Sequence, residues 1–333
     1  MTGGLNRSST IAALAFGLAV VTLLCSFSAS PAAAQQPAGQ APAIRVNVNR
    51  VNVGVIVTGS GGDLVEDLSL KQFEVLDDGV PQPLTGFLSV DEPAQVVLMV
   101  ECGPAVYFFR SDLVRAADAL LARLAPADRV AIVCYTRTPE LQLDFTTDKN
   151  MARAALRDLN FAAGYGDLNL STSLLSVLDS LKQLPGKKTV VLVTSGVDTS
   201  PPADPEALKR KLDASDVRIL AVSTAEQLQQ KPKHLKMSRR QKEDRSDIKK
   251  ILEPAQASLR ELAEITGGRV YTPRSSKDFD RAYEQIAELV RHEYLLEFAP
   301  PERDGKVHSI EVRVRRPFCL CRASYRQAYL APQ

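Results

Sequence analysis

The sequence lacks tryptophan, contains only three histidines among 333 residues and carries a formal net charge of only +2. The small net charge argues against a protein that binds nucleic acid over its whole surface. So few histidines leave little scope for histidine-based catalysis or for a histidine-rich metal centre. The phosphate-binding loop, the zinc-protease His-Glu-x-x-His and the hydrolase Gly-x-Ser-x-Gly are absent as well. These absences disfavour the common classes of enzyme.

The first 34 residues are typical of a secretory signal peptide. Arg7 precedes an apolar run from Ile11 to Phe27, and three consecutive alanines end at Ala34, after which we expect cleavage. A transmembrane anchor is the alternative, but the run is short for a span and its end is broken by serines. We therefore expect a secreted or periplasmic protein whose mature chain has no transmembrane segment and starts with a flexible leader at residues 35–43.

Four cysteines remain after such cleavage, and export to an oxidising compartment allows disulfides. Cys102 and Cys134 each follow an apolar run, so they are either buried core residues or, if the runs are neighbouring strands, a disulfide. Cys319 and Cys321 fall on one face of a strand predicted over residues 318–325, where they are poorly placed to bridge one another. The redox state of all four stays open at this level.

Short apolar strands alternate with amphipathic helices between residues 94 and 291. Val96–Glu101 is a continuous apolar run, as expected of a strand buried on both faces. Leucines and alanines follow at helical spacing between Leu113 and Leu124. The alternation continues to a helix predicted at Lys277–Arg291. It predicts an α/β fold with a doubly wound, mostly parallel, Rossmann-like sheet.

Both ends of the mature chain are rich in β-strand signals instead. Residues 44–90 contain alternating valines and an Asp-Asp-Gly hairpin signal, and residues 292–330 contain three further predicted strands. Neither segment has enough strands for a stable sheet of its own. We therefore expect them to pair into one small β-sandwich, with the α/β domain at residues 94–291 inserted between them.

A charged insertion at residues 225–254 interrupts the α/β pattern. Its basic residues are Lys231, Lys233, Lys236, Arg239, Arg240, Lys242, Arg245, Lys249 and Lys250. The simpler interpretation is a solvated loop that is partly disordered or helical. The alternative is an electrostatic contact with an anionic surface, polysaccharide or acidic partner.

In an open α/β sheet, ligands bind where the carboxyl ends of the strands meet. The loops expected there are 101–105, 169–172 and 194–198, and at these loops the sequence resembles the von Willebrand factor type A (VWA) fold. More closely, it resembles the exported, acidobacterial-type VWFA-related proteins of bacteria. The resemblance covers roughly residues 44–331, and it extends to the segments Phe73–Gln82, Leu262–Arg269, Tyr294–Pro300 and Tyr325–Ala331.

The resemblance implies a metal site that this sequence has largely lost. Type A domains often bind a divalent cation through Asp-x-Ser-x-Ser, a threonine and a second aspartate on these loops. The corresponding residues here are Glu101, Gly103, Ala105, Thr172 and Ser195. Only Thr172 keeps the family's residue type, unless Ser171 takes its place. Because Mg²⁺ requires near-octahedral oxygen ligands, we do not expect it to bind tightly. A weak site would use Glu101, Thr172 and Asp198.

These observations predict an exported, non-catalytic module that binds or scaffolds a protein or cell-envelope partner, with no cofactor. The candidate contact surface consists of Glu101, Gly103, Ala105, Thr172, Ser195 and Asp198. One alternative is a metal-dependent adhesion protein that tolerates the altered ligands. Another is an extracellular hydrolase that uses Glu101 and Asp198 as paired carboxylates.

Overall fold

Strands of nearly continuous apolar sequence form the middle of a six-stranded sheet. The computed structural model describes residues 50–60, 63–90, 92–107, 109–162, 166–200, 204–229 and 239–332. The signal peptide and leader predicted at residues 1–43 therefore lie outside the described residues. Within the described ranges, no helix combines the length and apolar character needed to cross a membrane.

The six-stranded sheet has the order β10-β9-β8-β5-β6-β7. Its strands are β5 (Ala94–Glu101), β6 (Arg129–Tyr135), β7 (Pro139–Thr146), β8 (Lys187–Thr194), β9 (Val217–Ser223) and β10 (Arg269–Tyr271). All pairings are parallel except that of β7 with β6. Every residue of β5, β8 and β9 is buried, as expected of strands covered on both faces.

Helices cover both faces of this sheet and bury two separate apolar clusters. They are α1 (Pro104–Tyr107), α2 (Arg110–Arg123), α3 (Lys149–Arg157), α4 (Leu170–Leu181), α5 (Pro205–Asp213), α6 (Ala225–Leu228), α7 (Arg239–Ile265) and α8 (Ser276–Arg291). Leu113, Leu120 and Leu121 of α2 are almost completely buried, which matches their helical spacing. The predicted doubly wound, mostly parallel sheet is confirmed.

Two four-stranded sheets combine strands from both ends of the described chain. The first has the order β13-β1-β11-β4 and the second β14-β12-β2-β3. Their strands are β1 (Val51–Thr58), β2 (Phe73–Asp77), β3 (Val80–Gln82), β4 (Leu84–Leu88), β11 (Glu293–Phe298), β12 (Val307–Val314), β13 (Arg322–Ser324) and β14 (Ala328–Leu330). Residues of both sheets share one apolar cluster. The predicted sandwich of amino- and carboxyl-terminal segments is thus confirmed.

A buried ion pair connects the α/β sheet to the sandwich. Arg218 on β9 donates from Nε to Glu293 Oε1 of β11 at 2.8 Å, and both side chains are less than 5% exposed. The same guanidinium donates to the backbone carbonyls of Gly54 in β1, at 2.9 Å, and of Gly267 after α7. A Cβ at Gly54 would lie 2.0 Å from the Glu293 carboxylate, so only glycine leaves room for the pair.

The strand predicted over residues 318–325 is wrong for its first half. The chain turns at Pro317 and Phe318, and Phe318 has a positive φ of 59°, so β13 begins only at Arg322. Because the segment is not extended, side chains two residues apart no longer share one strand face. Cys319 and Cys321 therefore form a disulfide, contrary to the expectation from strand alternation.

Part of the charged insertion is helical. Helix α7 runs from Arg239 to Ile265 and contains Pro254 in its interior, so it joins the end of the insertion to the helix that the sequence predicts at Ala255–Ile265. Residues 230–238 lie outside the described residues, including Lys231, Lys233 and Lys236.

We predict that Glu293→Ala lowers the free energy of unfolding by about 3–5 kcal/mol, because it leaves the charge of Arg218 buried without its carboxylate. Urea denaturation monitored by circular dichroism measures the change. The control is Glu311→Ala, since the pair between Glu311 and Arg313 is about half exposed and should contribute about 0–1 kcal/mol. Equal losses in the two variants would contradict a special role for the buried pair.

Candidate functional site

Glu101 ends strand β5 at the carboxyl edge of the parallel sheet, and its side chain is turned into the protein. The residue is 0% exposed. It pairs with Tyr135, the last residue of β6, and Thr194 ends the neighbouring strand β8. Parallel strands that end side by side therefore bring these three side chains together, although they are far apart in sequence.

One oxygen of the Glu101 carboxylate accepts three short hydrogen bonds, and Tyr135 Oη lies 3.5 Å from the same oxygen. Oε2 receives the Ser195 backbone N–H at 2.7 Å, the Ser195 hydroxyl at 2.8 Å and the Thr194 hydroxyl at 2.9 Å. Tyr135 Oη lies 2.8 Å from the Thr194 hydroxyl, which also accepts the Gly196 N–H at 2.8 Å. The network holds the loop after β8 against the end of β5. Sequence reasoning missed Tyr135 and Thr194, although each ends a predicted strand at this edge.

The other carboxylate oxygen, Glu101 Oε1, is buried and has no hydrogen-bond partner among the described residues. Burial raises the pKa of Glu101 above its ordinary value, although the hydrogen bonds from Ser195, Thr194 and Tyr135 lower it. Burial and the nearby Glu101 carboxyl also raise the pKa of Tyr135. A proton on Oε1 would remove the uncompensated charge while Oε2 keeps its three donors, so the arrangement suits a neutral carboxylic acid.

Gly103 follows Glu101 and is packed against a leucine. A Cβ at this position would lie 2.7 Å from Leu168 Cδ2 and 3.6 Å from Glu101 Oε1. Leu168 is buried, so a serine at position 103 would require it to move. Apolar carbon therefore occupies the side of Glu101 on which the family pattern places a hydroxyl. Ala105 lies in the short helix α1.

Asp198 and Thr172 both lie at the amino-terminal end of helix α4. Asp198 Oδ2 accepts the Ser171 N–H at 2.9 Å, and Asn169 Oδ1 accepts the Thr172 N–H at 3.1 Å. Asp198 Oδ1 also receives the Ser200 N–H at 3.2 Å. Asp198 therefore satisfies one unpaired backbone donor of the helix, whereas Thr172 is exposed at the rim of this face.

Helix α7, which begins in the charged insertion, borders the same face. Gln256 Nε2 donates to the Ser195 carbonyl at 3.3 Å, and Gln256 is almost fully buried. Arg239, Arg240, Lys242 and Arg245 lie in the first two turns of this helix. The electrostatic contact, which the sequence leaves open as the alternative to a solvated loop, stays untested.

A disulfide lies beside the site. Cys102 and Cys134 are bonded, with their Cα atoms 5.8 Å apart, and Cys102 N donates to the Tyr135 carbonyl at 2.9 Å. The sequence leaves open whether these two cysteines are buried core residues or a disulfide between neighbouring strands. The structure has the disulfide. It ties the end of β5 to the end of β6, next to Glu101 and Tyr135.

A second cluster of metal-type side chains lies in the sandwich, and sequence reasoning missed it. Asp77, Asp78 and His308 form one group within reach of a single ion, and Glu302, Asp304 and His308 form another. His308 Nδ1 lies 3.2 Å from Asp77 Oδ1, and its Nε2 lies 3.2 Å from Asp304 Oδ1. Burial lowers the pKa of His308, but the hydrogen bond to Asp304 and the neighbouring carboxylates raise it above its usual value overall. The raised pKa favours the protonated imidazolium, which pairs with these acids, and an imidazole ligates metal only in its neutral form.

A family model of the von Willebrand factor type A domain matches residues 109–285, which is more than half of the chain. The chain therefore belongs to the von Willebrand factor type A family. Domains of this family are generally modules for protein–protein interaction. A comparison with curated proteins finds no match.

Three solved structures illustrate what the chain is similar to. An aerotolerance-related membrane protein from Bacteroides fragilis is 13% identical over 59% of this chain and 98% of its own, with a TM-score of 0.44. BatB from Bacteroides thetaiotaomicron is 10% identical over 60% and 99%, with a TM-score of 0.39. A von Willebrand factor type A protein from Catenulispora acidiphila is 10% identical over 87% and 76%, with a TM-score of 0.42.

We predict that Glu101→Gln becomes progressively more stable than the wild type as the pH rises above about 4.5, the ordinary pKa of a glutamate. Below that pH the carboxyl holds its proton in both the folded and the unfolded chain, so stability does not depend on its titration. Above it, the unfolded chain loses the proton while the folded chain retains it, so the wild type loses stability. The loss approaches about 1.4 kcal/mol per pH unit until the folded pKa is reached.

Urea unfolding of both proteins between pH 4 and pH 8 measures this difference. Asp198→Asn serves as the control, because Asp198 is only partly buried and accepts backbone hydrogen bonds with both oxygens. Parallel stability profiles for the wild type and Glu101→Gln would show that Glu101 ionises normally in the folded protein.

Proposed function

We propose that this protein is an exported, non-catalytic binding or scaffolding module that engages a protein or cell-envelope partner through the strand-end face of its VWA domain. The sequence names Glu101, Gly103, Ala105, Thr172, Ser195 and Asp198 for this contact surface. Glu101, Gly103 and Ser195 are buried and shape the face from beneath, whereas Thr172 is exposed and Asp198 is partly buried. The inward orientation of Glu101 carries the proposal, because the carboxylate at the centre of the face is committed to the protein's own hydrogen bonds. The outer parts of the face remain for contact with a partner.

The proposed contact does not use a divalent cation. Magnesium requires about six oxygen ligands in near-octahedral geometry. Here Oε2 of Glu101 already has three donors, and Leu168 fills the space beside Gly103. Ala105 has no side-chain oxygen, and Asp198 is engaged by backbone amides of helix α4 and its own loop. The residues present therefore do not fit the metal site of the family, which argues against the metal-dependent adhesion alternative.

Catalysis by paired carboxylates receives less support. A general acid and a general base must reach the proton that they transfer. Glu101 is fully buried, and Asp198 is turned to the backbone of α4. A substrate on the surface would not contact Glu101 without a rearrangement of the loop after β8, and both oxygens of the partly buried Asp198 already accept backbone hydrogen bonds. The hydrolase alternative therefore ranks below a binding role.

Export is supported by the chemistry of the cysteines. The four cysteines among the described residues form the disulfides Cys102–Cys134 and Cys319–Cys321. Disulfides persist in oxidising compartments and are rare in reducing ones. They agree with the signal peptide proposed at residues 1–34 and with a secreted or periplasmic location.

We predict that millimolar Mg²⁺ or Mn²⁺ leaves the thermal unfolding midpoint unchanged, because a ligand that bound the folded state would raise the midpoint as its concentration exceeded its Kd. Differential scanning calorimetry, with and without a chelator, tests this expectation. A VWA domain with the complete Asp-x-Ser-x-Ser set serves as the positive control. A midpoint that rises with metal, falls with chelator and loses this response in Glu101→Ala would overturn the metal-free proposal.

We predict that Thr172→Arg abolishes capture of a partner from envelope extract without unfolding the protein, because Thr172 is exposed at the rim of the proposed surface. Affinity capture followed by mass spectrometry compares the variant with the wild type. Thr85→Arg makes the same change at an exposed position on strand β4 of the sandwich. Loss of the captured partner in both variants, or in neither, would exclude the strand-end face as the contact.

A further inference from the structure

A cationic cavity of about 300 Å³ lies at the opposite edge of the parallel sheet from the candidate site. It opens where strands β8 and β9 begin and where the sandwich meets the α/β domain. Its walls contain five basic side chains and a single acidic one. The basic residues are Arg50, Lys182, Lys188, Lys211 and Arg326, and the acidic residue is Asp216.

Three of the five cations have carboxylate partners. Lys188 is almost completely buried and pairs with both oxygens of Asp216, at 2.8 and 2.9 Å. Arg50 pairs with Glu297 at 2.8 Å, and Lys211 pairs with Asp179. Of these partners only Asp216 lines the cavity, so the positive charge that faces the cavity is not balanced by its own walls.

The other two cations have no carboxylate partner in the part of the chain that the structure describes. Lys182 lies just after helix α4 with its side chain exposed. Arg326 is only 7% exposed, and its guanidinium donates from one nitrogen to the Ser215 carbonyl. Its Nε is buried without a hydrogen-bond partner. Burial lowers the pKa of Arg326 to about 10, although Asp216 and Asp213 raise it.

Asn52 adds a second unsatisfied atom to the same cavity. Its Nδ2 donates to Asp216 Oδ2 at 2.9 Å, which fixes the orientation of the amide because a carboxylate only accepts. Its Oδ1 is therefore an acceptor, and it is buried without a partner. A buried donor and a buried acceptor without partners each cost free energy. A ligand that supplies both an anionic oxygen and a hydroxyl would satisfy them together.

We propose that this cavity binds a small oxyanion that carries a hydroxyl group, with hydrogen phosphate as the simplest example. The anionic oxygens would accept from Arg326 Nε and from the lysines that line the cavity, and the hydroxyl would donate to Asn52 Oδ1. The volume lies at the lower end of the range for ligand pockets, which suits an inorganic anion or a single acidic sugar. Phosphate-bearing and uronic acid ligands share this chemistry.

Titration calorimetry of the full chain with inorganic phosphate tests the proposal, at an ionic strength held constant with chloride. We expect saturable binding at one site and a matching rise in the unfolding midpoint. Lys182→Gln should weaken phosphate binding about tenfold, the effect of one charge-assisted contact. Because Lys182 is exposed, this variant is expected to fold. Lys209→Gln is the matched control, since Lys209 is an exposed lysine on α5 that does not line the cavity.

Sulfate and glucuronate distinguish the ligand chemistry. Sulfate carries the same charge but no hydroxyl at neutral pH, so it should bind more weakly than phosphate. Tighter binding of glucuronate would identify acidic sugars as the ligand class, and tighter binding of phosphate would identify phosphate-bearing ligands. Two results would overturn the proposal: phosphate that acts no differently from chloride, or equal weakening in Lys182→Gln and Lys209→Gln. Equal affinity for sulfate and phosphate would overturn the role of Asn52.

Discussion

The buried guanidinium of Arg218 is the constraint on which the arrangement of the two layers of this protein depends. It starts from the second residue of β9 and reaches Glu293 and the carbonyl of Gly54, both in the sandwich. A charge this deeply buried is tolerated only with its partners in place. The amino-terminal edge of the parallel sheet must therefore meet the sandwich in one orientation. The insertion of one domain into the other follows, because β1 and β11 bracket the whole α/β segment and pair with each other.

Because the sandwich docks on one edge of the parallel sheet, the two edges carry side chains of different chemistry. The amino-terminal edge carries the buried Lys188, which pairs with Asp216, and Arg326 of the sandwich segment lies against it and donates to the Ser215 carbonyl. The carboxyl-terminal edge carries Glu101 with its hydroxyl donors. The contacts between Arg218 and the sandwich lie at the other edge. The first edge therefore maintains the domain arrangement. The second edge takes no part in the contacts of Arg218, so we infer that substitutions there leave the docking of the sandwich intact.

The sequence predicted the fold well and the site only in part, for physical reasons. Apolar runs such as Val96–Glu101 and helical spacing such as that of Leu113–Leu124 report burial, and burial decides the layers of the sheet. The turn at Phe318 was missed because alternation of residue types cannot show a local positive φ. The sequence placed residues 101–105 and 194–198 at one edge of the sheet, but it missed that the Glu101 side chain turns inward, because side-chain direction depends on how β5, β6 and β8 pack. Likewise, the sequence could not show that Arg326 Nε lacks a hydrogen-bond partner among the described residues, because this depends on which carbonyl groups the folded chain places around the guanidinium.

The position of Glu101 fits the proposal that a glutamate stands where the resemblance to the family implies an aspartate. The side chain is longer by one methylene, so its carboxyl group can extend past the loop edge to Ser195 and Thr194. Ser195 donates to this carboxyl group, whereas the second carboxylate that the resemblance implies at position 195 would repel it. Gly103 and Leu168 close the remaining space with apolar carbon. In the proposed metal-free surface, the loop after β8 is thus ordered by hydrogen bonds and by the disulfide between Cys102 and Cys134, both of which are internal to the chain.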